Sequence, residues 1–218
     1  SRLKGERAIN LPGPVTLAVL PHTRWGRDLA RRASERRREV MLHLPMANLG
    51  NAPLGPDPLT PRLSRNEFRL RLANALAKVP GARGINNHMG SALTQQPREM
   101  TWLMHELRER GLYFVDSRTT HKTVAKRIAR EQAVLASSRD VFLDNVRDTA
   151  AIDIQFDKLV RLARKRGTAL GIGHPYPETL AYLESRLPSL SREAVQLLPA
   201  SRLIELQAIA RNQVAKAH

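Results

Sequence analysis

Residues 64–87, SRNEFRLRLANALAKVPGARGINN, contain a helical pattern followed directly by a short apolar run. Ser64 and Glu67 have the spacing of a capping box, so we predict that a helix begins at residue 65 and continues to residue 78. Apolar side chains recur every three or four residues along it, as on one face of a helix. The run 84–87 then has the length and composition of a buried strand.

The same alternation extends outward from this unit along the whole chain. Short apolar runs separated by longer helical patterns are typical of βα units around a mainly parallel sheet, so the predicted fold class is α/β. The predicted strands are 15–20, 39–43, 84–87, 112–116, 141–143 and 168–173, with 195–198 as a further candidate. The predicted helices are 24–38, 65–78, 98–110, 122–130, 150–166, 178–187 and 201–216.

The length of 218 residues suits one closed α/β core, so we expect a single domain over residues 1–218. One segment interrupts the rhythm. Residues 45–63 carry five prolines and two glycines, which predicts a long irregular loop. Because loops of this length are usually functional or disordered, this one is expected to cover a functional site.

Composition excludes several classes of function. The chain has no cysteine, so disulfide scaffolds, thiolate zinc sites and cysteine nucleophiles are ruled out, and any metal must be held by His, Asp or Glu. Its longest apolar runs are too short for a bilayer span. No secretion signal is visible at the start of the chain, and the absence of cysteine is compatible with either a periplasm or a cytosol.

The formal net charge of +16 allows three interpretations. Acidic residues alternate with the arginines of 24–38 as in a solvated amphipathic helix, which favours an ordinary basic surface. Aromatic residues make up only 4% of the chain, too few for a platform on which nucleic-acid bases stack, so a nucleic-acid partner is unlikely. Attraction to an anionic polymer or membrane surface is the intermediate possibility.

Four polar residues lie at the ends of predicted strands or directly after them, namely His43, His88, Asp116 and His174. In parallel α/β folds the carboxyl ends of the strands open onto the ligand-binding mouth, so these side chains are expected to converge there. Each also has a purely structural alternative. The histidines could be ordinary loop residues, and Asp116 could begin a loop and cap the next helix. Their joint placement favours a common site, and His22 fits the same pattern less well because prolines surround its turn.

Five stretches that include these residues resemble the divergent polysaccharide deacetylase family. They are LHLPM at 42–46, GINNHMGS at 84–91, FVDSRTT at 114–120, DVFLDN at 140–145 and GIGHPYPETL at 171–180, in the family's order and spacing. The resemblance covers residues 5–203. It implies a distorted (β/α) barrel that removes acetyl groups from an N-acetylated polysaccharide or oligosaccharide of the cell envelope. It also implies a divalent metal, most simply zinc, and a periplasmic or secreted location.

The resemblance also assigns roles to single residues. His43 and His88 correspond to metal ligands, and His174 corresponds to the acid that gives a proton to the leaving amine. Asp116 falls on the segment whose carboxylate orients that histidine. Arg118 would contact these groups rather than the substrate or the metal.

One departure from the family concerns its first strand, which ends in an Asp-Asp pair that supplies a metal ligand and the catalytic base. That strand should precede residues 5–12, and the printed sequence does not contain it. Two histidines alone make a weak site, because catalytic zinc usually has three protein ligands. We therefore expect a barrel without its first strand and an enzyme that is active only if the strand exists upstream. The alternatives are an inactive carbohydrate-binding protein on the same fold and a binder of anionic polymer or nucleic acid.

Overall fold

The computed structural model describes residues 1–50 and 52–216 and shows an α/β fold. The strands are β1 (Leu17–Val19), β2 (Val40–Met46), β3 (Ala82–Met89), β4 (Tyr113–Asp116), β5 (Ala136–Ser138), β6 (Val141–Phe142) and β7 (Gly171–Ile172). The helices are α1 (Arg2–Ile9), α2 (Gly26–Glu35), α3 (Arg65–Lys78), α4 (Pro97–Glu109), α5 (Ala125–Glu131), α6 (Thr149–Arg166), α7 (Pro177–Arg186) and α8 (Ala200–Lys216). Short 3₁₀ turns occupy Leu93–Gln95 and Leu187–Glu193.

The first five strands form one parallel sheet in chain order, β1-β2-β3-β4-β5, with a helix between each consecutive pair of strands. Strands β6 and β7 pair with each other in a second parallel sheet. The predicted α/β class with helices alternating along a parallel sheet is confirmed, and the arrangement is consistent with a distorted barrel.

The central unit β2-α3-β3 follows the prediction closely. The Ser64 hydroxyl accepts a hydrogen bond from the Glu67 backbone N–H, and the Glu67 carboxylate accepts one from the Ser64 backbone N–H at 2.8 Å. This capping box satisfies two backbone donors that the helix itself cannot pair. Phe68 and Leu72 on the inner face are fully buried against the sheet, so burial and capping agree on where α3 lies.

Two large groups of apolar side chains form the interior. One lies between the five-stranded sheet and helices α2 to α5 and includes the fully buried Leu42, Ile85 and Phe114. The other packs around Phe156 and Leu180, where α6 and α7 cover the smaller sheet. Within the described ranges, none of the helices combines the length and hydropathy that crossing a membrane requires.

The candidate strand at 195–198 is wrong. Ala194 has a left-handed backbone, with φ of 54°, and the Val195 N–H donates to the Leu190 carbonyl across the end of the 3₁₀ turn. The chain therefore turns at this point, and residues 195–198 belong to none of the strands in the described part of the chain. The apolar run there reflects burial of Val195 and Leu197 against the second core rather than strand pairing.

The proline-rich segment is less irregular than its composition predicts. Strand β2 continues through Pro45 to Met46, and a parallel bridge joins Met46 to Leu59, which is completely buried. The Pro45 carbonyl accepts from the Leu59 N–H, and the Leu59 carbonyl accepts from the Ala47 N–H, both at 2.9 Å. Proline is tolerated here because only its carbonyl is needed. Pro45 and Met46 thus belong to β2, and the other described residues of the predicted loop 45–63 are irregular. The hydrogen bonds of Leu59 hold the base of this loop against β2.

Two elements were absent from the prediction. Strand β5 has the sequence ASS, which lacks the apolar run that identifies a strand, and it exists because Phe114 and its neighbours on β4 pair with it. Helix α1 is short and begins with Ser1 as its N-cap. Isolated helices of this length are marginal, so α1 depends on its packing against α2, which no local pattern reveals.

Candidate active site

A pair of histidines lies on adjacent strands at the carboxyl half of the sheet. In the β2–β3 register His43 is opposite Asn86 and Pro45 is opposite His88. Since residues two apart on a strand face the same side, His43 and His88 are diagonal neighbours on one face. The His88 Nδ1 lies 2.9 Å from the His43 Nε2, and the two rings meet edge to face with centroids 4.7 Å apart.

The orientation of His43 is set by the strand opposite. Its Nδ1 lies 2.9 Å from the Asn86 Oδ1, while the Asn86 amide nitrogen donates to the Ser117 hydroxyl. The Ser117 hydroxyl in turn donates to the Asn87 carbonyl at 2.9 Å. With the Asn86 oxygen facing the ring, His43 carries its proton on Nδ1 and directs the lone pair of Nε2 towards His88.

Both imidazoles are held in the neutral form. Burial, and then the charge on His88, lower the pKa of His43 to about 3, and His174 adds to the shift. Burial is also the main reason that the pKa of His88 is lowered, followed by the charges of His174 and His22. Neutral imidazoles keep a lone pair on one ring nitrogen, which is the form that binds a metal ion.

His174 forms the second part of the site. It follows β7, and its Nδ1 lies 3.0 Å from the Asp144 Oδ1, while its own backbone N–H donates to the Asp144 Oδ2. The hydroxyl of Thr179 donates to the same oxygen at 2.8 Å. Burial alone would raise the pKa of Asp144, but the hydrogen bonds from His174 and Thr179 outweigh it and lower the pKa. The result is an ionised carboxylate that fixes a histidine whose side chain is 41% exposed.

The structure gives Asp116 and Arg118 a different place from the one that the family resemblance assigned. Asp116 does not contact His174. Its carboxylate accepts from the Arg118 backbone N–H and the Thr123 hydroxyl, both at 2.8 Å, and so holds the loop after β4. Burial raises the pKa of Asp116, opposed by these two hydrogen bonds. The carboxylate that orients His174 is therefore Asp144, and the loop-holding alternative describes the contacts of Asp116.

Three residues of this site were missed by the sequence analysis as functional candidates: Asp144, Asn86 and Thr179. Asp144 had a usable signal, because it directly follows the predicted strand 141–143, much as Asp116 ends the predicted strand 112–116. Asn86 lies inside a strand and Thr179 inside a helix, where position along the chain carries no such signal. His43 and His88 also lie inside their strands, because β2 and β3 run on to Met46 and Met89.

His22 lies near this group but is not joined to it by a hydrogen bond. Its charge affects the pKa of His88, and its Nδ1 is buried without a partner among the described residues. The proline-rich segment covers the ring closely, since a side chain added at Gly55 would come within 2.4 Å of the His22 Nε2.

The donor set suits a divalent metal in kind and supplies two ligands. Two nitrogens that each bind one zinc ion at about 2.0–2.1 Å can be no more than roughly 4 Å apart, and the facing nitrogens of His43 and His88 meet this condition at 2.9 Å. Across residues 1–50 and 52–216 there is no group of three or more side chains placed to hold a metal. His43 and His88 are thus the residues that would hold an ion.

Comparison with known proteins shows what this chain is similar to. Residues 1–204 match a family model described as divergent polysaccharide deacetylase. The uncharacterized protein YibQ of Escherichia coli is 37% identical over 199 residues, which are 91% of this chain and 62% of that protein. An uncharacterized protein of Haemophilus influenzae is 37% identical over 202 residues, which are 92% of this chain and 72% of that protein. This chain thus spans less than two thirds of the E. coli relative's length.

Among solved structures, an uncharacterized protein from Agrobacterium tumefaciens superimposes with a TM-score of 0.89 at 24% identity. The match covers 93% of this chain and 84% of that one. At this level of identity the match shows the shared fold.

Proposed function

The chain belongs to the divergent polysaccharide deacetylase family, and from this premise we propose that it is a metal-dependent hydrolase that removes acetyl groups from N-acetylated sugars of an envelope polysaccharide. The observation that carries the proposal is the proximity of two units with complementary chemistry. One is the neutral pair His43 and His88, and the other is His174 hydrogen-bonded to Asp144. Electrostatic interaction with His174 contributes to the lowered pKa of both other histidines, which supports a location of the two units near one space.

In this proposal each unit has a defined task. His43 and His88 would hold a divalent metal, most simply zinc, and such an ion supplies a more acidic bound water and a polarised amide carbonyl. Hydrolysis breaks the amide C–N bond, adds the hydroxyl of water to the acetyl carbon and returns a proton to the amine. His174 would give that proton, because Asp144 binds its Nδ1 and the side chain is 41% exposed, which leaves Nε2 for the amine.

Asp144 prepares His174 for proton donation by orienting it. Its hydrogen bond to Nδ1 keeps the ring in one tautomer and one orientation. Thr179 and the His174 backbone N–H hold the carboxylate in turn, so the geometry of the acid does not depend on a bound substrate.

The same proposal places the protein in the periplasm or outside the cell, where envelope polysaccharides are found. A chain without cysteine is compatible with that oxidising compartment.

The test is a His43→Ala substitution in the full-length protein, compared with His105→Ala on helix α4 as a matched loss of one imidazole outside the site. After treatment with a chelator, calorimetric titration with zinc should show a site that His43→Ala removes and His105→Ala retains. Acetate release from N-acetylglucosamine oligomers should follow the same order. Equal zinc binding by both variants would contradict the metal role of His43.

A second candidate function is carbohydrate binding without turnover. It is favoured by one observation, that the described residues offer two metal-binding imidazoles rather than the three ligands usual in catalytic zinc sites. Affinity for N-acetylglucosamine oligomers without acetate release, in the presence of zinc, would distinguish this function from the hydrolase.

A further inference from the structure

A cavity beside the site is lined by positive charge. It has a volume of about 190 Å³ and is lined by Arg118, Thr120, His121, Arg139 and Asp140. It adjoins the proposed acid on one side, because Arg139 packs against Phe142, the ring next to His174. A group bound in this cavity would therefore sit next to a sugar held at His174.

Arg139 is fixed in the wall of this cavity by backbone carbonyls. Its Nε donates to the Ser117 carbonyl at 2.7 Å and its Nη2 donates to the Arg118 carbonyl at 3.0 Å. These bonds leave its Nη1 unused. Within the described residues neither Arg139 nor Arg118 forms an ion pair with a carboxylate, and burial together with the nearby charge of Arg118 lowers the pKa of Arg139. An anion between the two guanidinium groups would relieve this repulsion.

Two carboxylates lie close enough to oppose such an anion, and both are already engaged. Asp140 pairs with Arg166 at 3.3 Å and accepts from the Leu170 N–H at 2.9 Å. Asp116 is buried and accepts from the Arg118 backbone and from Thr123. Asp140 also lines the cavity, but its charge is paired with Arg166, so among the described lining residues the two arginines carry the charge that has no ion-pair partner.

The backbone of Arg118 is held in an uncommon conformation. Its φ is 50°, in the left-handed region that non-glycine residues seldom adopt, and the Asp116 carboxylate holds it there by accepting from its N–H. Strain of this kind persists where surrounding contacts over-determine it, and it is concentrated at ligand-binding sites.

A continuous wall of rings leads from the cavity across the site. The guanidinium of Arg139 lies 4.9 Å from the centre of the Phe142 ring, Phe142 meets His174 edge to face, and His174 lies 5.2 Å from Tyr176. Arg147 lies over Tyr176, with its guanidinium carbon 3.7 Å from the ring centre. This wall has an aromatic middle and a guanidinium at each end, which suits a sugar chain that carries negative charge beside its acetylated units.

We propose that Arg118 and Arg139 form a subsite for an anionic substituent of the glycan, a carboxylate or a phosphate on the sugar next to the N-acetylated one. This inference rests on the proposed function and narrows its substrate class to acidic N-acetylated glycans. The excess of basic residues over the whole molecule acts in the same direction, because it attracts an anionic polymer before the subsite engages it.

The test compares affinities of the full-length protein for three tetrasaccharides, measured by calorimetry so that no turnover is needed. One is neutral tetra-N-acetylglucosamine, one alternates N-acetylglucosamine with a uronic acid, and one carries a sugar phosphate. The acidic glycans should bind about tenfold more tightly than the neutral one. Whichever acidic probe binds more tightly identifies the substituent, and equal affinity for all three would overturn the proposal.

Two variants separate the subsite from the general charge of the protein. Arg118→Gln removes an exposed charge at the cavity, and Arg69→Gln removes an exposed charge on α3. The tenfold preference should fall to about twofold in Arg118→Gln and persist in Arg69→Gln. Arg118→Asn should behave like Arg118→Gln, because asparagine tolerates the left-handed backbone and so excludes misfolding as the cause. Equal losses in the Arg118 and Arg69 variants would overturn the proposal.

A single-stranded oligonucleotide of matching charge serves as the last probe. Oligonucleotide binding that depends on Arg118 as strongly as glycan binding would overturn the glycan proposal in favour of a nucleic-acid site. Acetate release from the neutral tetramer is measured separately, so the hydrolase proposal and the anion subsite can fail independently.

Discussion

Asp144 receives three hydrogen bonds from the turn and helix that carry His174, and two of them end on the same oxygen. An asparagine at this position would keep the size of the side chain and lose the charge that stabilises a protonated imidazole. Its amide nitrogen could also face the ring nitrogen that now donates. The proposed acid function of His174 therefore depends on the carboxylate of Asp144, which holds its ring.

The corresponding prediction is that Asp144→Asn lowers the rate of acetate release on the order of 10²-fold or more, the usual contribution of a positioned acid. Zinc affinity should stay unchanged, because His43 and His88 do not contact Asp144 by hydrogen bonds. Asp148→Asn is the matched control, since asparagine caps a helix about as well as aspartate at the start of α6. A rate equal to that of the control would show that Asp144 has no part in the reaction.

The lowered pKa of His43 also predicts how the free energy of unfolding of the metal-free protein depends on pH. Its pKa falls from an unfolded value of 6.5 to about 3 in the fold, so between these values only the unfolded chain takes up the proton. The free energy of unfolding should therefore increase with pH across this window, by up to about 1.4 kcal/mol per pH unit from this group. Above pH 6.5 the contribution of His43 should be fully present and no longer change. Urea unfolding at several pH values, with His43→Gln for comparison, measures the slope. A difference between the two proteins that does not change with pH would contradict the assignment.

At the scale of elements, some helices and strands follow from local sequence patterns and others only from tertiary contacts. Helix α3 was predicted from Ser64, Glu67 and its apolar spacing, and these residues make the expected contacts within the helix itself. Strand β5 could not be predicted, because its small side chains form no apolar pattern. It is a strand because its backbone pairs with that of β4. The prediction at 195–198 failed for the opposite reason, since its apolar residues are buried without any strand to pair with in the described part of the chain.

The amino ends of the strands show how distant elements are tied together. The Glu39 Oε1 accepts from the Thr16 hydroxyl, the Tyr113 hydroxyl and the Ser201 backbone N–H, at 2.9 to 3.0 Å. Burial, followed by the charge of Glu39, raises the pKa of Tyr113. This carboxylate connects β2 with β4 and with the start of α8, and it lies at the end of the sheet away from the candidate site. These hydrogen bonds connect distant parts of the chain, so Glu39 has a structural role that is distinct from catalysis.

The pairing of two very short strands decides the identity of the acid unit. Phe142 on β6 lies opposite Ile172 on β7, so the residues that follow both strands, Asp144 and His174, emerge side by side. Asp116 follows β4, whose partners are β3 and β5 in the larger sheet. The two candidate carboxylates occupy equivalent positions along the chain, and only the strand pairing distinguishes them.

At the scale of the whole molecule, the basic excess is spread over a surface that partly neutralises itself. On α2, Arg31 pairs with Asp28 and Glu35 on the solvent side, as the alternating pattern predicted. Arg118 and Arg139 differ from this arrangement because no carboxylate among the described residues pairs with them. The location of unpaired charge, rather than its total, is what identifies a candidate binding surface.

The expected single domain leads to a prediction about cooperativity. Both tryptophans, Trp25 and Trp102, lie on the side of the larger sheet, whereas far-UV circular dichroism reports on all helices, including α6 and α7 over the smaller sheet. One domain should give coincident urea transitions by tryptophan fluorescence and by circular dichroism. Two separate transitions would show instead that the two cores unfold as independent units.

The sequence by itself determined the α/β class, the helix α3, the family and the three histidines of the proposed site. These follow from local spacing, capping and short motifs, which depend on neighbours a few residues apart. Only the tertiary structure decided that Asp144 rather than Asp116 holds His174, that Asn86 orients His43, and that Arg118 faces a cavity. Each of these contacts joins residues about 20 to 45 positions apart through strand register, and no local pattern encodes which strands become neighbours.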